Sequence, residues 1–402
     1  MAIQLASKSV VGRDRLIEQI WKMLRKNSIV FTAERRIGKT TVMQKMEAET
    51  PIGIRATYLD LEKIDTPHRF VEVLVDEVKD LLPKTRKARN AFAGLLNSLD
   101  GMEIGGVVKI PSSDKKDWQP ALEKTLACVC EHHGESMILF LFDELPYMLQ
   151  KISIREKKER NQINSALAIL DSLRAIRAEQ GNLRMIYSGS IGLHHVIDSL
   201  RGNEYATQPL NEMETVEIGS LDRSDAEELT KRLLDEEEVE CENKEVVVNA
   251  IVEQTDCVPF YIERLINRFV LANKVITSTE VQKQVQFNLT DDNDHWEMEH
   301  FRTRIPTYYP ESIEMGDRIP LPKATVVSKI LDILSVSETP QGIDEICAGL
   351  KAELPLEDRM VVVQLLKNLS MDHYLISDEQ KNYSFRFPLI QKWWKLAQGL
   401  SL

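Results

Sequence analysis

The run SIVFTAERRIGKTTVMQKM, which begins at Ser28, constrains the fold of this chain more than any other segment. Residues 28–31 read as a short apolar strand and residues 39–49 as a helix. Between them, residues 33–41 follow G-x-x-x-x-G-K-[ST], with Ala33 in the first glycine position. A strand, a tight loop and a helix in that order aim backbone N–H groups and a helix N-terminus at one spot, which is an anion cradle. Gly38 lets the backbone approach a phosphate without a Cβ clash. Lys39 is placed to reach β- and γ-phosphates, and the Thr40 hydroxyl to ligate Mg2+. Arg35, Arg36, Ile37 and Thr41 complete the loop, so the expected ligand is ATP with Mg2+.

Such a loop needs an acidic partner. MILFLFDELPYML supplies six apolar residues, 137–142, and then Asp143 and Glu144. A run apolar at every position suits a central parallel strand covered on both faces. Asp143 at its end is placed to hold the metal, and Glu144 to orient and activate a water. The strand RMIYSGS ends in Ser188, Gly189 and Ser190. A polar group at that tip can touch the γ-phosphate or the attacking water; Ser188 is preferred and Ser190 is the alternative. Lys39, Glu144 and Ser188 are thus the expected carriers of the reaction.

Elsewhere, strand and helix patterns alternate up to about residue 200, as in a parallel α/β sheet. The expected helices cover 13–26, 67–82, 118–133 and 162–180, and the strands 56–59 and 184–188. Residues 84–117 read as an insertion, a charged helix followed by the alternating ribbon MEIGGVVKIP. Residues 221–271 turn helical, 283–322 are polar and proline-bearing, and 323–396 run helix, helix, helix, strand pair. The domain reading is a nucleotide-binding domain at 1–215, a helical lid at 216–282, a connector at 283–322 and a winged helix at 323–402.

These segments resemble the archaeal-type ATPases of the AAA+/STAND group. VVGRDRLIEQIWKML followed by FTAERRIGKTTV is similar to their "h-G-R-x-x-E" and "G-P-R-R-x-G-K-T". TDCVPFYIERLINRF stands where they have G-x-P-x-Y, with Cys257 in place of the usual glycine, and YSFRFPLIQKWW is similar to the close of their winged helix. The resemblance implies an α/β P-loop NTPase of ASCE/AAA+ type, an α-helical lid and a winged-helix domain. It also implies that Gly12 and Arg13 lie against the adenine and that Pro259 of the lid lies near the base or ribose. Arg35, Arg36 and Arg201 are candidates for an arginine finger, and His194 and His195 for phosphate sensing, although solvated side chains suit each of them as well.

Charge bears on the partner. The net charge of −12 argues against broad capture of nucleic acid. Residues 319–402 carry nine Lys/Arg against ten Asp/Glu, and the candidate recognition helix offers only Arg359 and Lys367. A groove-reading helix brings several cations to phosphates. The expected role is therefore a nucleotide-driven switch acting on a protein partner or another copy; a DNA-acting ATPase is the alternative. No apolar run nears the roughly 20 residues a bilayer span needs. Five scattered cysteines suit a reducing cytoplasm. Cys128 and Cys130 beside His132 and His133 read as helix positions rather than a metal site, because no second ligand pair follows at zinc-finger spacing.

Overall fold

The computed structural model describes residues 10–98, 118–159, 164–201, 208–272, 274–316 and 318–401. The chain divides into two compact units, Met1–Thr32 with Gly38–Ile218, and Ala33–Ile37 with Gly219–Leu402.

The first unit runs α1 (Asp14–Leu24), β1 (Ser28–Thr32), α2 (Lys39–Ala48), β2 (Ile54–Asp60), α3 (Pro67–Leu81), α4 (Arg86–Ser98), α5 (Trp118–His133) and β3 (Met137–Asp143). It continues through α6 (Leu145–Lys158), α7 (Ser165–Glu179), β4 (Leu183–Tyr187), α8 (Leu193–Arg201) and β5 (Met213–Glu217). The five strands form one parallel sheet in the order β2-β3-β4-β1-β5. Ile138, Leu139, Phe140, Leu141 and Phe142 of β3 are all fully buried, as a continuous apolar run requires between two helical layers. Each such side chain contributes roughly 1.5–3 kcal/mol on burial. Phe140 and Phe142 stack on one face, and Phe70 of α3 meets Phe142 edge-on. Local chemistry sets the helix starts: the Thr66 hydroxyl caps α3 ahead of Pro67, and the Asn164 side chain caps α7.

Two elements depart from the sequence reading. Helix α6 follows the acidic pair directly; its Pro146 stands in the first turn, and its buried Leu145, Met148, Leu149 and Ile152 recur at helical spacing. The strand β5 extends the sheet beyond residue 200, where the alternating pattern fades. As an edge strand only Val216 is buried, so METVE shows no apolar face. The ribbon expected at MEIGGVVKIP lies outside the described residues. Cys128 and Cys130 are buried on α5; His132 and His133 bond the carbonyls of Cys128 and Leu81.

The second unit begins, after its loop segment, with α9 (Arg223–Glu236), α10 (Lys244–Gln254), α11 (Pro259–Ala272) and α12 (Ser278–Thr290). The short helices α13 (His300–Thr303) and α14 (Ile305–Tyr308) follow, then an antiparallel pair, β6 (Ser312–Met315) and β7 (Arg318–Pro322). The chain closes with α15 (Lys323–Ser335), α16 (Ile343–Glu353), α17 (Arg359–Met371), the antiparallel pair β8 (Leu375–Ser377) and β9 (Tyr383–Phe385), and α18 (Pro388–Ala397). Residues 283–322, expected as a connector, carry the end of α12, the helices α13 and α14 and the strands β6 and β7, with Trp296, Phe301 and Tyr309 buried. Val281, Val285 and Leu289 form a buried i, i+4 stripe that makes α12 despite its polar composition. No helix among the described residues is long and apolar enough to cross a membrane.

Candidate nucleotide site

The parallel sheet brings the ends of β1, β3 and β4 to one carboxyl edge, where open α/β sheets bind ligands. Gly38 caps α2 in a left-handed conformation, φ 100°, which a side chain would strain. Helix α2 then opens with Lys39, which is buried, and Thr40.

The Thr40 hydroxyl donates to Asp143 Oδ2 at 2.6 Å. Tyr58, arriving on β2, donates its phenol to the same oxygen at 3.1 Å. Asp143 Oδ1 accepts the Glu144 N–H at 3.1 Å. Burial first, and then the charge of Asp143, push the Tyr58 phenol far up, so it stays a neutral donor. Asp143 is thus the centre of a hard-oxygen set with Thr40, the chemistry that suits Mg2+. The residues present fit that ion.

Glu144 sits at φ 55°, a left-handed position that turns the chain from β3 into α6. Its Oε2 accepts the Ser190 N–H at 3.0 Å and the Ser190 hydroxyl at 2.8 Å. Burial raises its pKa; the two Ser190 hydrogen bonds and Lys39 oppose that rise, and Asp143 adds to it. Gly189 is required here, because an added Cβ would meet Pro146 Cδ at 2.6 Å. Of the two serines at the strand tip, Ser190 is the one bonded to Glu144. Ser188 is held by backbone, its N–H on Phe142 O and its carbonyl accepting from Leu145 N, while its buried Oγ has no hydrogen-bond partner among the described residues.

Gly12 and Arg13 stand just ahead of α1, Gly12 at φ 73° and Arg13 buried. Lys45 of α2 pairs with Asp14 Oδ1 at 2.7 Å and donates to Val10 O at 3.3 Å, fixing this segment against the phosphate helix. Sequence reasoning did not single out Tyr58 or Lys45: neither belongs to a motif, and only strand register and helix packing bring them in. His194 and His195 lie on α8 with rings 4.2 Å apart, and Arg201 ends that helix.

The first arm of the loop, Ala33–Ile37, belongs to the second unit. There Glu34 is 4% exposed and forms a two-pronged ion pair with Arg304, Nη1 to Oε1 at 2.7 Å and Nη2 to Oε2 at 2.8 Å. Arg36 donates to Trp296 O at 2.7 Å, pairs with the Glu297 carboxylate and lies 4.5 Å over the Phe260 ring. Its guanidinium is therefore committed within this unit, while the Arg35 side chain is exposed and Ile37 is buried. Pro259 starts α11, the helix that carries Phe260.

No protein-family profile matches the sequence, and no curated protein matches it. Solved structures do. The Walker-type ATPase PABY2304 of Pyrococcus abyssi is 13% identical, with 96% of this chain and 97% of that one covered, at a TM-score of 0.61. The Holliday junction branch migration motor RuvB of Thermotoga maritima (10% identity, 98% and 96% covered) has a TM-score of 0.40. ORC2 of Aeropyrum pernix (11% identity, 96% and 95% covered) has a TM-score of 0.41. The last two likenesses are too loose to argue from. The first, with the parallel sheet and the loop, gives the fold: this chain has the α/β P-loop architecture of a Walker-type ATPase.

Proposed function

We propose that this chain is a cytoplasmic ATPase of the AAA+/STAND kind, a nucleotide-driven switch that binds ATP with Mg2+ and hydrolyses it. The observation that carries the reading is the cluster at the sheet edge. Thr40 is hydrogen-bonded to Asp143, and Glu144 beside it is aimed by Ser190, all within one unit and next to the left-handed Gly38.

In this reading the loop amides from Arg36 to Thr40 and the Lys39 ammonium hold the phosphates. Thr40 and Asp143 would hold Mg2+, which, when bound, neutralises charge on the phosphate oxygens. Glu144 takes the proton from the attacking water as the water oxygen bonds to the γ-phosphorus and the bond to the β-phosphate oxygen breaks; ADP and phosphate leave. Gly12 and Arg13 contact the nucleoside. Residues 323–402 act as a winged helix that passes the nucleotide state to a protein partner or another copy. A role on DNA is disfavoured: Arg359, one of only two cations on α17, is engaged by Asp344 of α16 at 3.0 Å.

The test is ATP binding and phosphate release by the purified chain. Wild type should bind ATP only weakly without Mg2+ and release phosphate with it, and Lys39→Ala should lose binding by about 100-fold or more. A Lys39→Ala protein that binds and turns over ATP like wild type would refute the assignment.

A further inference from the structure

The second residue of the phosphate loop carries a buried charge that no phosphate needs. Glu34 is 4% exposed and Arg304, between α13 and α14, has a side chain 9% exposed. A buried ion pair gains little stability over an apolar pair of the same volume, because desolvation cancels most of the attraction. Its use is in fixing one geometry, and this one is unusually determined. Both Glu34 oxygens are taken by Arg304, and Oε1 also accepts the Arg35 N–H at 2.7 Å, which sets the backbone of the loop. Arg304 Nε donates to the Tyr374 hydroxyl at 2.6 Å, Nη1 also lies 3.3 Å from His300 Nε2, and the Tyr374 hydroxyl donates to Phe301 O. The guanidinium lies 4.2 Å over the Tyr374 ring and 4.9 Å over Phe301. Two residues on, Arg36 grips Trp296 and Glu297 from the same stretch of chain. Residues 34 and 36 thus bind residues 296–304, and Arg304 binds Tyr374, which precedes β8.

We propose that Arg304 is a positioning residue of the phosphate loop: its grip on Glu34 sets the loop in its nucleotide-receptive shape, and its bond to Tyr374 couples that shape to the C-terminal helices. The inference rests on the nucleotide reading above. By linkage, a segment that favours nucleotide binding must itself be stabilised by nucleotide to the same degree.

The experiment has two arms, both using the full chain, Mg2+ and adenylyl imidodiphosphate, a non-hydrolysable ATP analogue. In wild type, the analogue should slow amide hydrogen exchange in peptides spanning 296–304 and 374, outside the loop itself. Unchanged exchange there, in a protein that binds the analogue, overturns the proposal. In the second arm, Arg304→Gln should weaken analogue binding and raise KM for ATP by about tenfold, with kcat changed less than KM. The double variant Glu34→Met/Arg304→Met separates positioning from plain packing, since an apolar pair restores stability. Recovered Tm with KM still raised supports the proposal; recovery of both overturns it. If Arg304→Gln does not fold, the exchange arm and the double variant still decide. Wild type that fails to bind the analogue at all removes the nucleotide reading together with this one, whereas wild-type binding with an unaffected Arg304→Gln removes only this one.

Discussion

The two arms of the phosphate loop end in two buried polar networks that differ in how fully their charges are answered. Around Glu34, the balance is closed. Burial pushes its carboxyl up, but the charge and hydrogen bonds of Arg304 hold it below the usual carboxylate range, and His300 beside it is pushed down to about 3 by burial and by Arg304, so it stays neutral. Around Glu144, the balance stays open. Burial keeps its pKa raised despite two hydrogen bonds from Ser190, and the buried Ser188 Oγ nearby has no hydrogen-bond partner among the described residues. A closed network specifies a shape; an open one holds interaction capacity for a ligand. Perturbed carboxylates of the second kind mark sites, and those of the first mark struts.

Breaking the open network should have the largest effect. Glu144→Gln keeps the size and the Ser190 contacts but cannot take a proton. Phosphate release should fall by about 100-fold or more while ATP binding persists, measured by single-turnover assay and by equilibrium binding. An unchanged rate would move the base elsewhere. Gly189→Ala drives a Cβ into the Pro146 ring, so α6 and Glu144 must shift. Thermal denaturation should show a loss of about 1–3 kcal/mol, with turnover falling further than stability explains.

Asp256 tests whether an uncompensated carboxylate always signals a site. It accepts the Leu389 N–H at 2.7 Å at the start of α18, and burial pushes its pKa up to about 6. A carboxyl raised in the folded state stabilises the fold at low pH, and that contribution is lost as pH rises through about 6. Asp256→Asn, an isostere that tolerates the φ of 50° here, should therefore stabilise the fold at pH 8 by about 1–2 kcal/mol and have almost no effect near pH 3.5. Urea denaturation at the two values measures this, and ATP turnover should not change. The mildest change is Ser190→Ala. It removes a bond that favours the charged form of Glu144, so the acid limb of the kcat–pH profile should move to higher pH, with about a fivefold lower rate at neutrality. A limb that stays put would mean that Ser190 does not tune the base.

What the sequence showed about this chain is unevenly spread. The strand, loop and helix around Gly38 and Lys39, the apolar strand before Asp143 and the strand before Ser188 are all local patterns, and all form where the residues place them. Helix α6 and strand β5 were not legible. The first is helical because half its face packs into a core made by distant elements, and the second is an edge strand paired through backbone groups, which leave no apolar signature.

The sequence by itself determined the phosphate loop, the acidic pair and the kind of sheet they need, because each depends on residues adjacent in the chain and on backbone geometry that glycine, proline and apolar runs dictate. Only the tertiary structure decided which polar groups meet: Ser190 on Glu144, Tyr58 on Asp143, Glu34 on Arg304, which lies 270 positions away. Hydrogen bonds and ion pairs between remote segments follow from register and packing, which sum the whole chain, so no window of sequence around Glu34 could have named its partner.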